Sequence, residues 1–165
     1  MAKEEVRYTK FNIHTQSKDG KKYKASYANY TDPGEGHVVI AAGTKILITK
    51  KSRKGFTFTC DNPTKKVDYE FHNKRMDMSL DEYLEKITSV EPVSFGGLST
   101  IDKKGVADGQ ARKGMSRKGV MTALGYPAAH RTPSIDSDSW TYWTNRFKTI
   151  VVEFDAKGLV AEVRR

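Results

Sequence analysis

Apolar and polar residues alternate in short runs through the first half of the chain, and turns rich in glycine or proline separate these runs. The clearest runs are 56–60 and 67–71, in which every second side chain is apolar or aromatic. A period of two places alternate side chains on one face of a strand, and turns at roughly 8–12-residue intervals are typical of all-β units. The pattern predicts a small antiparallel β-barrel or sandwich over residues 1–78.

The period changes near residue 79. Ser79 and Glu82 have the spacing of a capping box, in which the serine accepts from a free amide and the glutamate reaches back. Apolar residues then follow helical spacing at Leu80, Tyr83, Leu84 and Ile87. We predict a helix over about 80–88, and we assign 79–97 as this capped helix and a connector.

A second helical region lies between residues 98 and 127. Residues 101–112 form a helix candidate that two glycines interrupt. A further helix is expected to begin after Ser116 as its cap and to bury Val120 and Leu124. Gly125 is expected to end it, and Pro127 prevents its restart.

Three strand-like runs close the chain at 140–143, 149–154 and 159–163, and 155–158 has the composition of a hairpin turn. The predicted order over 98–165 is therefore helix, helix and three-stranded meander. Because strands precede helices and strands follow them, the predicted fold class is α+β.

Composition narrows the functional classes. The chain has 165 residues, 29 Lys or Arg against 20 Asp or Glu, and a net charge of +9. A basic protein favours acidic partners such as nucleic acid or an anionic surface, although no long block of Lys and Arg concentrates the charge. No apolar run approaches the roughly 18 residues that a membrane-spanning helix needs. A single cysteine, Cys60, excludes a disulfide scaffold and a cysteine-rich metal site.

The carboxyl third resembles the SmpA/OmlA lipoprotein family, which contains the outer-membrane assembly factor E proteins. The resemblance covers residues 98–164 and rests on 113–116, 124–127, 140–142 and 149–160. The motif residues that carry it are Gly114, Met115, Ser116, Val120, Leu124, Gly125 and Pro127. It implies a helix–helix–meander fold like that of β-lactamase-inhibitor protein, and a scaffold or protein-binding role in the bacterial envelope.

The chain departs from that family in two places. Arg117, Lys118 and Gly119 stand where the family has acidic or amide residues, and positive charge there opposes the helix dipole. The family's lipidated amino-terminal cysteine has no counterpart, because Cys60 lies in mid-chain. A fragment without its signal and anchor has these features, and no signal peptide is present in the chain as given.

A second resemblance covers residues 22–72. The segment 40–48 is similar to a strand of Src-homology-3-like bacterial barrels. The resemblance implies the barrel fold for this region, without specifying a ligand.

Candidate chemistry is sparse. The four histidines, His14, His37, His72 and His130, lack the spacing of a helical zinc motif. We expect His37 at the surface or a strand edge and Cys60 in the core. Ser134, His130 and Asp136 include the residue types of a triad but lie in one loop without a nucleophile elbow.

We therefore predict no catalytic, cofactor-binding or metal-binding residues. Alternation predicts Trp140 and Tyr142 in the core and Trp143 exposed on the opposite face. The candidate partner-binding residues are Arg117, Lys118 and Trp143.

The favoured hypothesis is a non-catalytic envelope protein, the soluble part of a lipoprotein that is periplasmic or anchored to the outer membrane. Its expected partner is an envelope protein or a cell-wall component. The alternative is a cytosolic nucleic-acid-binding protein, which the charge and the aromatic residues favour. A third hypothesis, an enzyme inhibitor or hydrolase, rests on the fold analogy alone.

Overall fold

The computed structural model describes residues 4–61, 64–128, 131–132 and 134–165, so His130 lies outside the described residues. The strands in this part of the chain are β1 (Glu5–Thr9), β2 (Ile13–Gln16), β3 (Lys22–Ser26), β4 (His37–Ile40), β5 (Lys45–Ser52), β6 (Gly55–Cys60), β7 (Lys65–Glu70), β8 (Thr88–Ser89), β9 (Ser139–Trp143), β10 (Thr149–Phe154) and β11 (Val160–Arg164). The helices are α1 (Asn73–Met76), α2 (Leu80–Ile87), α3 (Thr100–Asp108) and α4 (Arg117–Leu124). The protein is thus α+β, as predicted.

The first eight strands form one curled sheet in the order β4-β2-β3-β7-β6-β5-β1-β8. Its pairs are antiparallel except β3 and β7, which run parallel from Lys22 opposite Lys66 to Ser26 opposite Glu70. The prediction of an all-antiparallel barrel or sandwich therefore needs correction. Strand β2 pairs with β3 on one side and with β4 on the other. The second edge of β3 therefore remains available to β7, a strand from later in the chain.

Helix α2 covers the apolar face of this sheet. Tyr83, Leu84 and Ile87 are buried in the same core cluster as the sheet residues Ile48 and Phe58. The predicted capping box is present, with the Glu82 amide donating to Ser79 Oγ at 3.1 Å and the Ser79 amide donating to Glu82 Oε1 at 3.4 Å. The predicted helix thus contributes three side chains of its apolar stripe to the first core.

The second core lies between α4 and the three-stranded sheet β11-β10-β9. Val120 and Leu124 are buried here with Ile150, Val152 and Phe154, which confirms the predicted packing of the helix on the sheet. Met115 is also fully buried, and Trp140 and Tyr142 lie in this core as predicted. The helical spacing of apolar residues in α4 and the period of two in the strands thus give each element the apolar face that it contributes to this core.

The ends of α4 are built as the motif predicts. Ser116 is the N-cap and its Oγ accepts from the Gly119 amide at 3.0 Å. Gly125 is the C-cap, with a φ of +79°, and a Cβ there would lie 3.0 Å from a ring carbon of Phe11. Glycine is required at this position both by the backbone conformation and by the close approach of the first half of the chain.

Asp102 ties α3 to the start of α4. Its carboxylate accepts from the amide and the hydroxyl of Ser116, both at 2.8 Å, and from the Ser99 amide at 3.1 Å. Burial of Asp102 opposes ionisation, but these hydrogen bonds outweigh it and lower the pKa of the carboxyl. Gly119 faces Asp102 so closely that a Cβ would meet its Oδ1, which accounts for the glycine at this position.

Candidate functional site

The carbonyl end of α4 packs against β2 and the β3–β4 loop. The last carbonyls of a helix lack partners within the helix and need donors from elsewhere. Asn12 donates from its side chain to the Val106 and Ala123 carbonyls at 2.8 and 3.2 Å, and from its backbone amide to the Thr122 carbonyl at 2.8 Å. The first half of the chain thus supplies hydrogen-bond donors to carbonyls near the ends of α3 and α4. We call this contact the seam.

Two histidines extend the seam. His14 Nε2 lies 2.9 Å from the Ala123 carbonyl, and its Nδ1 lies 2.9 Å from His37 Nε2. Because a carbonyl only accepts, His14 carries its hydrogen on Nε2, so its Nδ1 accepts from His37. Burial lowers the pKa of His14 to about 4 and lowers the pKa of His37 as well. Both rings are therefore neutral at pH 7 and hold the seam by hydrogen bonds.

A groove runs along the outside of the seam. It consists of two adjoining cavities of about 450 and 410 Å³, which share Phe11, Lys86 and Tyr126. The first cavity is lined mainly by apolar and aromatic side chains, among them Tyr27, Met76 and Ile135. The second is lined by Val93, Phe95 and Met121 with Lys10 and Lys118. We call the two cavities together the junction groove.

Several polar groups in the wall of the junction groove are bonded within the protein. The Tyr69 and Tyr83 hydroxyls lie 2.7 Å apart, and Asn29 donates to the Leu124 and Tyr126 carbonyls at 2.6 and 2.9 Å. Burial raises the pKa of Tyr69 to about 12 and that of Tyr83 well above its ordinary value. These two hydroxyls are neutral and already paired, so this part of the wall presents aromatic surface.

The charge of the junction groove has one sign. Lys10, Lys86 and Lys118 line it, and the described lining residues include no Asp or Glu. Lys86 Nζ lies 4.2 Å from the centroid of the Tyr126 ring, a cation–π contact. Lys10 and Lys118 donate to the Glu85 and Gly96 carbonyls, both at 2.7 Å. Because a backbone carbonyl has no net charge, these contacts do not neutralise the positive charges of Lys10 and Lys118.

The three predicted partner-binding residues do not form one site. Lys118 lines the junction groove, whereas Arg117 stacks on the Phe154 ring at 4.7 Å and bonds Asp138 Oδ1 at 3.2 Å. Trp143 is half-buried rather than exposed, because it packs beside Arg131, whose guanidinium carbon lies 5.8 Å from the ring centroid. Although Arg117 and Lys118 are adjacent in the sequence, their side chains lie in different surroundings.

Sequence reasoning missed the histidine pair and the junction groove. His37 was expected at the surface or a strand edge, and it begins the edge strand β4, but the pairing of β2 with β4 also brings it, half-buried, into contact with His14, which was not predicted. Cys60 is buried as expected, and burial raises the pKa of its thiol. Of the proposed loop triad types, Ser134 and Asp136 lie in an exposed turn, where the Asp136 amide donates to Ser134 Oγ at 3.1 Å.

Across residues 4–61, 64–128, 131–132 and 134–165, no three His, Cys, Asp or Glu side chains come together as a metal-binding group. Within the same residues, no helix has both the length and the apolar character to cross a membrane.

Comparison of the chain with protein-family models, curated proteins and solved structures finds no match.

Proposed function

We propose that this chain is a non-catalytic, protein-binding module of the bacterial cell envelope, the soluble part of a lipoprotein that holds a partner in the junction groove. The observation that carries the binding role is the groove wall, which combines aromatic surface with three lysines and no described carboxylate. The hydroxyls of Tyr69 and Tyr83 and the side-chain amide of Asn29 are already paired. Such a wall favours an apolar segment with acidic side chains over a small polar substrate.

The envelope setting rests on a different argument. Residues 98–164 resemble the SmpA/OmlA family, and the α3–α4–meander order and the Ser116 and Gly125 caps agree with what that resemblance implies. The finer assignments, a β-lactamase-inhibitor-like carboxyl unit and a Src-homology-3-like amino unit, belong to the same proposal. The envelope partner is a protein, because the groove is apolar and elongated rather than a closed polar pocket.

A peptide titration tests the binding role. The probe is a fluorescein-labelled peptide that alternates aspartate with leucine and phenylalanine, and its matched partner has lysine in place of aspartate. We expect the acidic peptide alone to bind, and Lys86→Glu and Lys118→Glu each to weaken it at least tenfold. Lys157→Glu, a charge reversal in the exposed β10–β11 turn, is the control and leaves binding unchanged.

Two results would contradict this role: equal binding of both peptides, or equal loss of binding in Lys86→Glu and Lys157→Glu. The envelope setting is tested separately by tagging the full-length gene product in its own cells. We expect it in the membrane or periplasmic fraction and sensitive to protease in spheroplasts. A protease-protected cytosolic protein would reject the envelope and favour the nucleic-acid alternative.

A further inference from the structure

The polar face of the curled sheet forms a second cleft, which adjoins the junction groove at His14, Ser26 and Tyr69 but is lined by different cations. Its volume is about 640 Å³, within the range of small-molecule sites. One row of paired residues crosses five neighbouring strands along its floor: Gln16, Lys24, Asp68, Thr57 and Lys50. Because side chains alternate along each strand, the members of this row point to the same side of the sheet. We call this space the basic cleft.

Four cations converge on the basic cleft from three parts of the chain. Lys24 comes from β3, Lys50 and Lys54 from β5 and the following turn, and Arg146 from the β9–β10 turn. Among the residues that the structure describes, none of these four side chains makes a hydrogen bond or an ion pair with the protein. Their donors face the cleft with their full hydrogen-bonding capacity.

Acceptors and hydroxyls lie between these cations. Asp68 Oδ1 accepts from Thr57 Oγ1 at 2.9 Å, and Glu70 Oε1 accepts from Ser26 Oγ at 3.4 Å. Each carboxylate keeps lone pairs free toward the cleft, since an ionised carboxylate has about four acceptor sites. The half-buried Tyr30 supplies one aromatic ring in the cleft wall.

We infer that the basic cleft binds an acidic oligosaccharide. The cations fit the carboxylate or phosphate groups of such a ligand, and Asp68 and Glu70 fit the sugar hydroxyls as acceptors. A nucleic acid fits less well, because two carboxylates on the floor repel its backbone, and because Phe56 and Tyr69 in the lining are buried, which leaves Tyr30 as the ring for stacking on a base. This inference does not depend on the proposed function, since the basic cleft and the junction groove use different cations.

The experiment is an NMR titration of the whole chain with trigalacturonate, with neutral maltotriose as the matched ligand. We expect trigalacturonate to shift the backbone amide signals of Lys24, Thr57 and Asp68, and to bind at least tenfold more tightly than maltotriose. The double variant Lys24→Gln/Arg146→Gln is expected to lose at least tenfold in affinity. Both residues are exposed, so the fold is retained, and Lys157→Gln serves as the control for loss of a positive charge outside the cleft.

Several outcomes would overturn the inference. These are no binding at millimolar trigalacturonate, shifts confined to residues outside the cleft, or an equal loss of affinity in Lys157→Gln. A single-stranded oligothymidylate that displaces trigalacturonate and binds at least tenfold more tightly would replace the saccharide with nucleic acid. Because the peptide assay reports on Lys86 and Lys118 only, either proposal can fail while the other stands.

Discussion

The seam and the basic cleft both contain polar side chains from the curled sheet, but they treat those side chains in opposite ways. At the seam, Asn12 and His14 are buried, and each uses its side-chain groups on partners within the protein. In the basic cleft, Lys24 and Lys50 are exposed and make no described contact with a protein partner. His14, Lys24 and Lys50 belong to one sheet, so position in a strand alone does not decide the role of a polar residue.

The difference follows from the cost of burial. An unpaired buried polar group costs roughly 1–3 kcal/mol, so buried groups are kept only where partners are supplied. Solvated lysines carry no such cost and stay available for a ligand. We therefore expect substitutions in the cores and at the seam to reduce the free energy of unfolding, and substitutions in the basic cleft to change binding alone.

The largest expected loss of stability lies in the second core, and it provides a reference for the losses expected at the seam and in the basic cleft. Leu124 is 1% exposed and packs with Val120 and Val152. Leu124→Ala should lower the free energy of unfolding by about 2–5 kcal/mol, because it removes buried methyl groups and leaves a cavity. Urea denaturation measures this change. A loss no greater than that of an exposed substitution such as Lys157→Gln would show that α4 does not pack on the meander.

Acidification should weaken the seam through His14. The pKa of His14 is about 4 in the folded chain, against about 6.5 when unfolded. Between these values the unfolded chain binds a proton that the folded chain excludes, so stability falls as the pH drops from 6.5 toward 4. The full effect is about 3 kcal/mol. Protonation of His14 would also add a hydrogen to its Nδ1, which would then face the N–H of His37 Nε2. The contact would persist only if His37 presents an unprotonated ring nitrogen to His14.

Urea midpoints of the wild type and of His14→Gln between pH 7 and 5 test this effect. This interval lies above the range in which most carboxylates titrate. The glutamine amide can still donate to the Ala123 carbonyl, and we expect the variant to have a shallower dependence on pH. An unchanged slope would assign the acid sensitivity to other groups.

Asn12 provides the most direct test of the seam. Its side chain donates to the Val106 and Ala123 carbonyls and accepts from the Ala42 amide at 2.8 Å. Asn12→Ala leaves these groups without their partner and should cost about 1–3 kcal/mol in the free energy of unfolding. Hydrogen exchange of the Ala42 amide should accelerate with it. Unchanged exchange and stability would mean that water replaces the side chain without cost.

Local patterns predicted the elements and part of the packing, because the relevant signals lie within a few residues. Ser79 with Glu82, and Val120 with Leu124, are separated by three or four positions, and the resulting cap and apolar stripe are present. The parallel pairing of β3 with β7 depends instead on which strand reaches a free sheet edge. No local pattern reports that choice.

The candidate sites were harder to predict because they depend on contacts between residues that are far apart in the sequence. The Asn12 side-chain bonds join residues 94 and 111 positions apart, and the His14–His37 contact exists only because β2 pairs with β4. The junction groove likewise combines Phe11, Lys86 and Tyr126 from three separate regions. Among its described lining residues, only Lys118 was predicted from sequence to bind a partner, through its position beside the Ser116 cap.

The smallest expected effect on stability is also the one that distinguishes the two regions most clearly. Lys24 is exposed on β3, opposite Asp68 on β7, but it forms no described ion pair. Lys24→Gln should change the free energy of unfolding by no more than about 0.5 kcal/mol, as is usual for exposed positions without structural partners. The same substitution should weaken trigalacturonate binding, so stability and affinity separate at this residue. A loss of more than about 1 kcal/mol in urea denaturation would instead mean that Lys24 stabilises the folded sheet, and the cations of the basic cleft would then be structural groups like Asn12 and His14.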